Sequence, residues 1–400
     1  MRTEVMIAAL LFTLLISGQA SAGWLNESAM SDRLSRLLAD QRAVVLSYEL
    51  NEEQLIITLL GPDRTRVGRR GRMAERRRVV ISGGRRVLAT QVAAFHRLVA
   101  ECDPGYQAQG RRLFDTLIRP FVGELSRWRV LCLIPDNILW DIPFQALIAP
   151  DGRHLLEMFP LFYAPSLARL QDLANLKSEP TGKVSLLSIG NPEPGESMLA
   201  RLRLTDRDGS FAPLPEAELE ARIISRLHGL HLSQVLTGKA ASEAAVKRLA
   251  PGRGILHFAT HGVLDNQNPL RSYLLLTDSE TEPEEDGLLE AREILELDLQ
   301  AELAILSACE TARDWIGYGE GLIGLSGAFL SAGCRTVVVT QWKVDSRRTA
   351  QLVVNFFQSL KSGAPGKAEA LHHAARQMMR NPATRHPYYW AAMIVVGWNK

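Results

Sequence analysis

Residues 255–262 read Ile255-Leu256-His257-Phe258-Ala259-Thr260-His261-Gly262, and residues 303–311 read Leu303-Ala304-Ile305-Leu306-Ser307-Ala308-Cys309-Glu310-Thr311. Each begins as a short, mostly apolar run, the pattern of a strand buried on both faces. Each runs straight into a side chain that can do chemistry. In an open parallel sheet, ligands sit beyond the carboxyl ends of the strands. Neighbouring parallel strands would therefore bring His261 and Cys309, 48 residues apart in sequence, to one edge of the sheet.

The flanking sequence alternates in the same way. Strand patterns at 130–134, 184–189, 232–236 and 336–340 are interleaved with helical periodicity at 87–101, 111–127, 166–176, 216–228, 242–249, 321–332 and 347–360. Strands separated by helices imply βαβ units and a mostly parallel sheet. Upstream, 26–41 is a short amphipathic helix with Leu34, Leu37 and Leu38 on one face, and 44–50 with 55–60 reads as a β-hairpin around Asn51-Glu52-Glu53. Residues 192–215, rich in Pro and Gly, read as a surface excursion, and acidic 278–287 as an insertion.

The chain has 400 residues, 46% hydrophobic and 22% charged, ordinary for a globular protein and enough for a sizeable core. The net charge of +2 gives no chain-wide basic field, so no specific nucleic-acid binding is expected. Residues 63–86 depart from this, with ten arginines and two acids. They read as an arginine-rich pair of edge strands or as a contact for a polyanion; no aromatic residues are interleaved for base stacking. Four cysteines are too few for a disulfide scaffold, and none pair as C-x-x-C. Residues 1–22 have the form of a secretory signal: Arg2, an apolar run from Val5 to Ile16, and Ala20-Ser21-Ala22 before the cut. This implies export to a periplasmic or extracellular space; an uncleaved N-terminal anchor is the other reading. Cys102 and Cys132 could then form a disulfide.

A thiolate is a nucleophile, and a nearby imidazole can take its proton and later protonate the leaving amine. A Cys with a His about 50 residues upstream is the caspase arrangement. Gly262 leaves its N–H open to a substrate carbonyl, and the Cys309 N–H is the second candidate oxyanion donor. The chemistry calls for no metal or organic cofactor, and the partner would be a protein or peptide substrate.

These residues resemble the histidine and cysteine motifs of CHAT domains, a family of caspase- and separase-like cysteine peptidases. The stretches Gly319-Glu320-Gly321-Leu322, Val338-Val339-Thr340-Gln341-Trp342-Lys343-Val344-Asp345 and His386-Pro387-Tyr388-Tyr389-Trp390-Ala391-Ala392 look like later segments of the family. Ile134-Pro135-Asp136, Pro143-Phe144 and Ala164-Pro165-Ser166-Leu167 resemble its upstream half. The resemblance covers roughly residues 40–400. It implies a caspase-like three-layer α/β sandwich, a mostly parallel sheet with helices on both faces, preceded by a β-hairpin and helical lobe. It also implies a dyad of Cys309 as nucleophile and His261 as general acid/base. The expected division is a signal at 1–22, a helix at 23–42, an N-terminal lobe at 43–165 and a catalytic core at 166–400. Two departures stand out: no tetratricopeptide repeat is visible, and the chain carries an export signal. A non-catalytic interaction module on the same fold is the alternative function.

Other residues carry weaker signals. Asp345 follows the 336–340 strand, where caspase-like folds line the pocket for the residue before the cleaved bond. An acid there would favour Arg or Lys; the other reading is a helix N-cap. Trp342 could wall that pocket or belong to the core. His257 and Cys334 read as structural and buried. His372 and His373 read as solvent-facing. Gly324-Leu325-Ser326-Gly327-Ala328 lacks the last Gly of a nucleophile elbow and lies in helical periodicity, against a serine hydrolase.

Overall fold

The computed structural model describes residues 32–62, 73–176, 184–205, 211–265, 267–279, 282, 284–307, 320–342 and 344–400. The signal-like segment and Cys309 lie outside these residues.

Fourteen strands are present among the described residues, eleven of them in one sheet. Its N-terminal strands are β1 (Ala43–Leu50), β2 (Gln54–Pro62), β3 (Met73–Ser82), β4 (Val130–Ile134) and β5 (Leu161–Tyr163). The rest are β6 (Leu186–Pro192), β7 (Ser233–Gly238), β8 (Ile255–Ala259), β12 (Leu303–Leu306), β13 (Thr336–Thr340) and β14 (Met393–Gly397). The order across the sheet is β3-β2-β1-β4-β5-β14-β13-β12-β8-β6-β7. Strands β1, β4, β5 and β14 form one parallel block, and β13, β12, β8, β6 and β7 form another. The blocks meet at the antiparallel pair β13/β14, so they run in opposite directions. A separate three-stranded antiparallel sheet comprises β9 (Gly262–Val263), β10 (Tyr273–Leu275) and β11 (Leu288–Glu290).

Helices flank the large sheet. They are α1 (Asp32–Gln41), α2 (Gly84–Ala100), α3 (Tyr106–Leu117), α4 (Leu167–Asn175), α5 (Glu196–Thr205), α6 (Pro215–His228), α7 (Glu243–Leu249), α8 (Glu320–Ser331), α9 (Ser346–Lys361) and α10 (Lys367–Arg380). Side chains cap three of them: Ser166 bonds Arg169 N, Ser242 bonds Ala245 N, and Asp345 bonds Arg348 N. Strands β4, β12, β13 and β14 are buried at every residue, as sheet with both faces covered requires. In α1, Leu34 and Leu38 stand one turn apart and are fully buried.

The expected α/β class holds, and the 44–50/55–60 hairpin forms as β1 and β2. Other expectations change. The single helix over 111–127 is α3 followed by two short helical turns, 119–121 and 122–125, because Pro120 has no N–H to continue it. The 192–215 excursion contains α5, whose Met198 and Leu202 pack with Leu275 in a small second core. Strands β5 and β14 are further elements. His372 is buried within α10, while His373 is exposed. In the arginine-rich segment, β3 is an edge strand of the sheet, and residues 63–72 lie outside the description. Arg77 pairs with Glu124 at 3.0 Å, and Arg76 lies over Trp128 at 5.3 Å. Gly83 and Gly84, with φ of 108° and 41°, turn the chain from β3 into α2, a conformation that favours glycine. Cys102 is exposed, Cys132 is buried in β4, and neither is in a disulfide. Among the described residues no helix is long and apolar enough to cross a membrane.

Candidate active site

Strands β8 and β12 are adjacent and parallel, with Phe258 opposite Leu306. His261 stands three residues beyond Phe258, and Cys309 three residues beyond Leu306, counted along the chain. Ser307, the last described residue of that run, continues the ladder by donating its N–H to the Phe258 carbonyl at 2.8 Å. The two strands are thus matched in register up to the point where the chain passes to Cys309.

His261 leaves β8 half-buried. Its Nε2 lies 2.8 Å from the Ala212 carbonyl oxygen, and its ring meets Phe211 edge-on with centroids 5.5 Å apart. A carbonyl only accepts, so this contact places the proton on Nε2 and the lone pair of the neutral ring on Nδ1. Ala212 is held in place by its neighbours: Leu214 N bonds Asn191 Oδ1 at 2.6 Å, and α6 begins at Pro215. The segment carrying Phe211 and Ala212 also follows α5, which docks on the three-stranded sheet.

Gly262 opens β9 and is buried, paired with Leu274 of β10. The carbonyl of His261 accepts from Leu275 N at 2.8 Å, and the Thr260 hydroxyl donates to the Leu275 carbonyl. The histidine turn is therefore bonded on both sides. Helix α8 follows the Cys309 segment and packs closely on the Pro269 turn. A Cβ at Gly324 would come within 2.6 Å of the Pro269 Cβ.

Asp345 is exposed and caps α9 through its Oδ1, 3.1 Å from Arg348 N. Trp342 is 1% exposed; its indole N–H donates to the Tyr388 carbonyl at 3.2 Å, and its ring packs against His96. Cys334 is buried, and burial pushes its thiol well up from the ordinary range. Among the described residues no group of three or more His, Cys, Asp or Glu could hold a metal ion.

Beneath the strand ends lies a feature absent from the sequence reading. His257 in β8 is fully buried, and its Nε2 is 2.8 Å from Oε1 of Glu220 in α6. Periodicity marks His257 as buried but cannot say that its partner is a glutamate 37 residues upstream. The Ala212 carbonyl could not be found either, because a backbone acceptor leaves no residue-type signal.

Residues 107–398 match the family model described as CHAT domain. Tetratricopeptide repeat protein 28 of Homo sapiens is 29% identical over 332 residues, covering 72% of this chain and 13% of that protein. The Mus musculus protein of the same name is 27% identical over 336 residues, with the same coverage. The chain thus spans about 13% of the length of these curated relatives. Two solved structures are similar to it. One is the Saccharomyces cerevisiae separase–securin complex, with TM-score 0.49 and 9% identity over 92% of this chain and 31% of that one. The other is the Arg specific cysteine proteinase gingipain R, with TM-score 0.44 and 12% identity over 78% of this chain and 74% of that one.

Proposed function

The chain belongs to the CHAT domain family, and from that premise we propose that it is a cysteine endopeptidase acting through Cys309 and His261. The observation that carries this reading is the histidine itself. It stands at the end of a strand in register with the one leading to Cys309, and a backbone carbonyl holds its Nε2–H. That leaves Nδ1 as the basic atom. In the reaction, Nδ1 takes the Cys309 thiol proton as Sγ bonds the peptide carbonyl carbon. The Gly262 and Cys309 N–H groups are the proposed donors to the oxyanion. Collapse breaks the C–N bond, and the imidazolium returns its proton to the leaving amine. Water then cleaves the thioester, giving the acid and the free thiol.

The substrate is a protein or peptide, and Asp345 is proposed to favour Arg or Lys before the cleaved bond. Residues 1–22 would direct the chain out of the cytoplasm. A second reading, a partner-binding module without turnover, is favoured by the relatives named for tetratricopeptide repeats. An electrophilic peptide probe separates the two. Selective labelling of Cys309 that disappears in His261→Ala is expected for the peptidase. A folded protein that takes no label, or cleavage that persists in Cys309→Ala, would overturn it.

A further inference from the structure

A buried polar set below the strand ends is not used by the dyad chemistry. Glu220 is 2% exposed and sits in the second turn of α6. Its Oε1 lies 2.8 Å from His257 Nε2, and its Oε2 accepts the Ser307 hydroxyl at 3.3 Å. On the other side of the imidazole, His257 Nδ1 is 2.8 Å from Ser188 Oγ in β6. One carboxylate thus joins the helix to the strand that ends in His261 and to the residue that follows β12. The ladder bond from Ser307 N to the Phe258 carbonyl closes the frame.

The lead-in to the same helix also reaches the site, where Ala212, three residues before Pro215, holds His261 Nε2. Helix α6 therefore braces the histidine at its head and the Cys309-bearing run one turn further on.

Such a set is weak evidence for a stabilising role. Burying a carboxylate carries a desolvation penalty, and well-packed apolar residues commonly serve as well or better. A polar link does something apolar packing does not: it fixes which atoms meet. A hydroxyl bonded to one carboxylate oxygen and an imidazole bonded to the other set the relative height of β8 and β12 against α6. The dyad depends on that height, because misplacement of the reacting groups by about 1 Å can cost about a hundredfold in rate.

We propose that Glu220 is a positioning residue for the dyad, holding the His261 strand through His257 and the Cys309 run through Ser307. The inference rests on the peptidase reading, and its test separates the two. Alkylation of Cys309 by iodoacetamide is followed across pH in the full chain, with mass spectrometry to resolve it from the other cysteines. Labelling by the electrophilic peptide probe is split into its binding and inactivation steps. The variants are Ser307→Ala, Ser307→Thr, Glu220→Gln and His261→Ala. Ser307→Ala removes one hydrogen bond and leaves the Glu220–His257 pair intact, so it keeps the role testable should Glu220→Gln fail to fold.

Ser307→Ala is expected to keep its melting temperature within a few degrees. It should slow the inactivation step about tenfold with little change in probe binding, and shift the reactive pH towards a free thiol at about 8.5. Ser307→Thr, which retains the hydroxyl, should recover most of the rate. If folded Ser307→Ala superimposes on the wild type in rate and pH profile while His261→Ala does not, the positioning role is wrong and the dyad stands. If His261→Ala itself leaves the wild-type profile unchanged, the dyad has failed and the inference falls with it.

Discussion

Single residues show where sequence reading succeeds and where it stops. His261 follows an apolar run that ends in His-Gly, and the register of Phe258 with Leu306 sets its strand beside the one that leads to Cys309. His257, four residues earlier, reads as structural and is fully buried, but its partners come from α6 and β6, which no local pattern joins to it. His372 and His373 both read as solvent-facing, but the helix turns the first inward and the second outward. Burial, with repulsion from Arg376 and His373, pushes the His372 imidazole down to about 4. Its folded value is below the ordinary 6.5, so the unfolded chain binds the proton first as pH falls. The neutral ring's contribution is intact above pH 6.5 and is lost as pH falls towards 4. His96, also held down to about 4 by burial, acts in the same direction. Glu243, pushed up to about 7 by burial, acts oppositely, gaining stability as pH falls from 7 towards the ordinary carboxyl range. The difference between variants isolates one group. Denaturant unfolding at pH 7 and pH 4.5 should show wild type losing up to about 2 kcal/mol more than His372→Gln. Equal losses in the two proteins would remove His372 from the account.

Elements were legible where periodicity was long and capped. Helix α6 and strands β8, β12 and β13 fall within a residue or two of their sequence patterns, and Ser166 and Ser242 mark their helix starts as N-cap residues should. Helix α5 lies in a stretch whose Pro and Gly read as loop, yet its Met198 and Leu202 are buried. The way an element seats on its neighbour is less legible still. Gly190 in β6 looks like any strand glycine, yet a Cβ there would lie 2.7 Å from the Ala217 carbonyl oxygen and 2.8 Å from the Ala221 Cβ. The glycine is what lets α6 approach the sheet closely enough for Glu220 to reach His257. Gly190→Ala should push the helix outward, with an overpacking cost of about 1–3 kcal/mol. It should also slow labelling of Cys309 by more than its loss of stability explains, because both the Ala212 and Glu220 contacts travel with α6. Thermal melting beside probe-labelling rates checks this. A variant less stable than wild type yet labelled at the wild-type rate would show that helix seating does not control the site.

At the scale of the molecule, the N-terminal and C-terminal strands share one sheet, and its middle strand is the last one in sequence. β14 is sixth of eleven in the order, parallel to β5 on one side and antiparallel to β13 on the other. The run Met393–Gly397 is missing from the strands read in the sequence, and strand order depends in any case on long-range pairing that no local signal encodes. The same end ties distant segments together. Asn399 Nδ2 donates to Gln41 of α1 at 3.0 Å, and its Oδ1 accepts from Ala368 N of α10 at 2.7 Å. Because β14 bridges two blocks of opposite direction, removing it exposes two unpaired central edges instead of trimming one outer edge, the arrangement in which strands pair with foreign chains. A chain ending at Ala392 should therefore fail to fold and should aggregate, although it retains His261, Cys309 and every other proposed site residue. Supplying residues 393–400 as a separate peptide should restore some soluble protein if β14 is the only missing part. Sedimentation and circular dichroism of the truncated chain, with and without peptide, decide the point. A soluble, cooperatively melting truncated protein would mean that the two blocks stand without their shared strand.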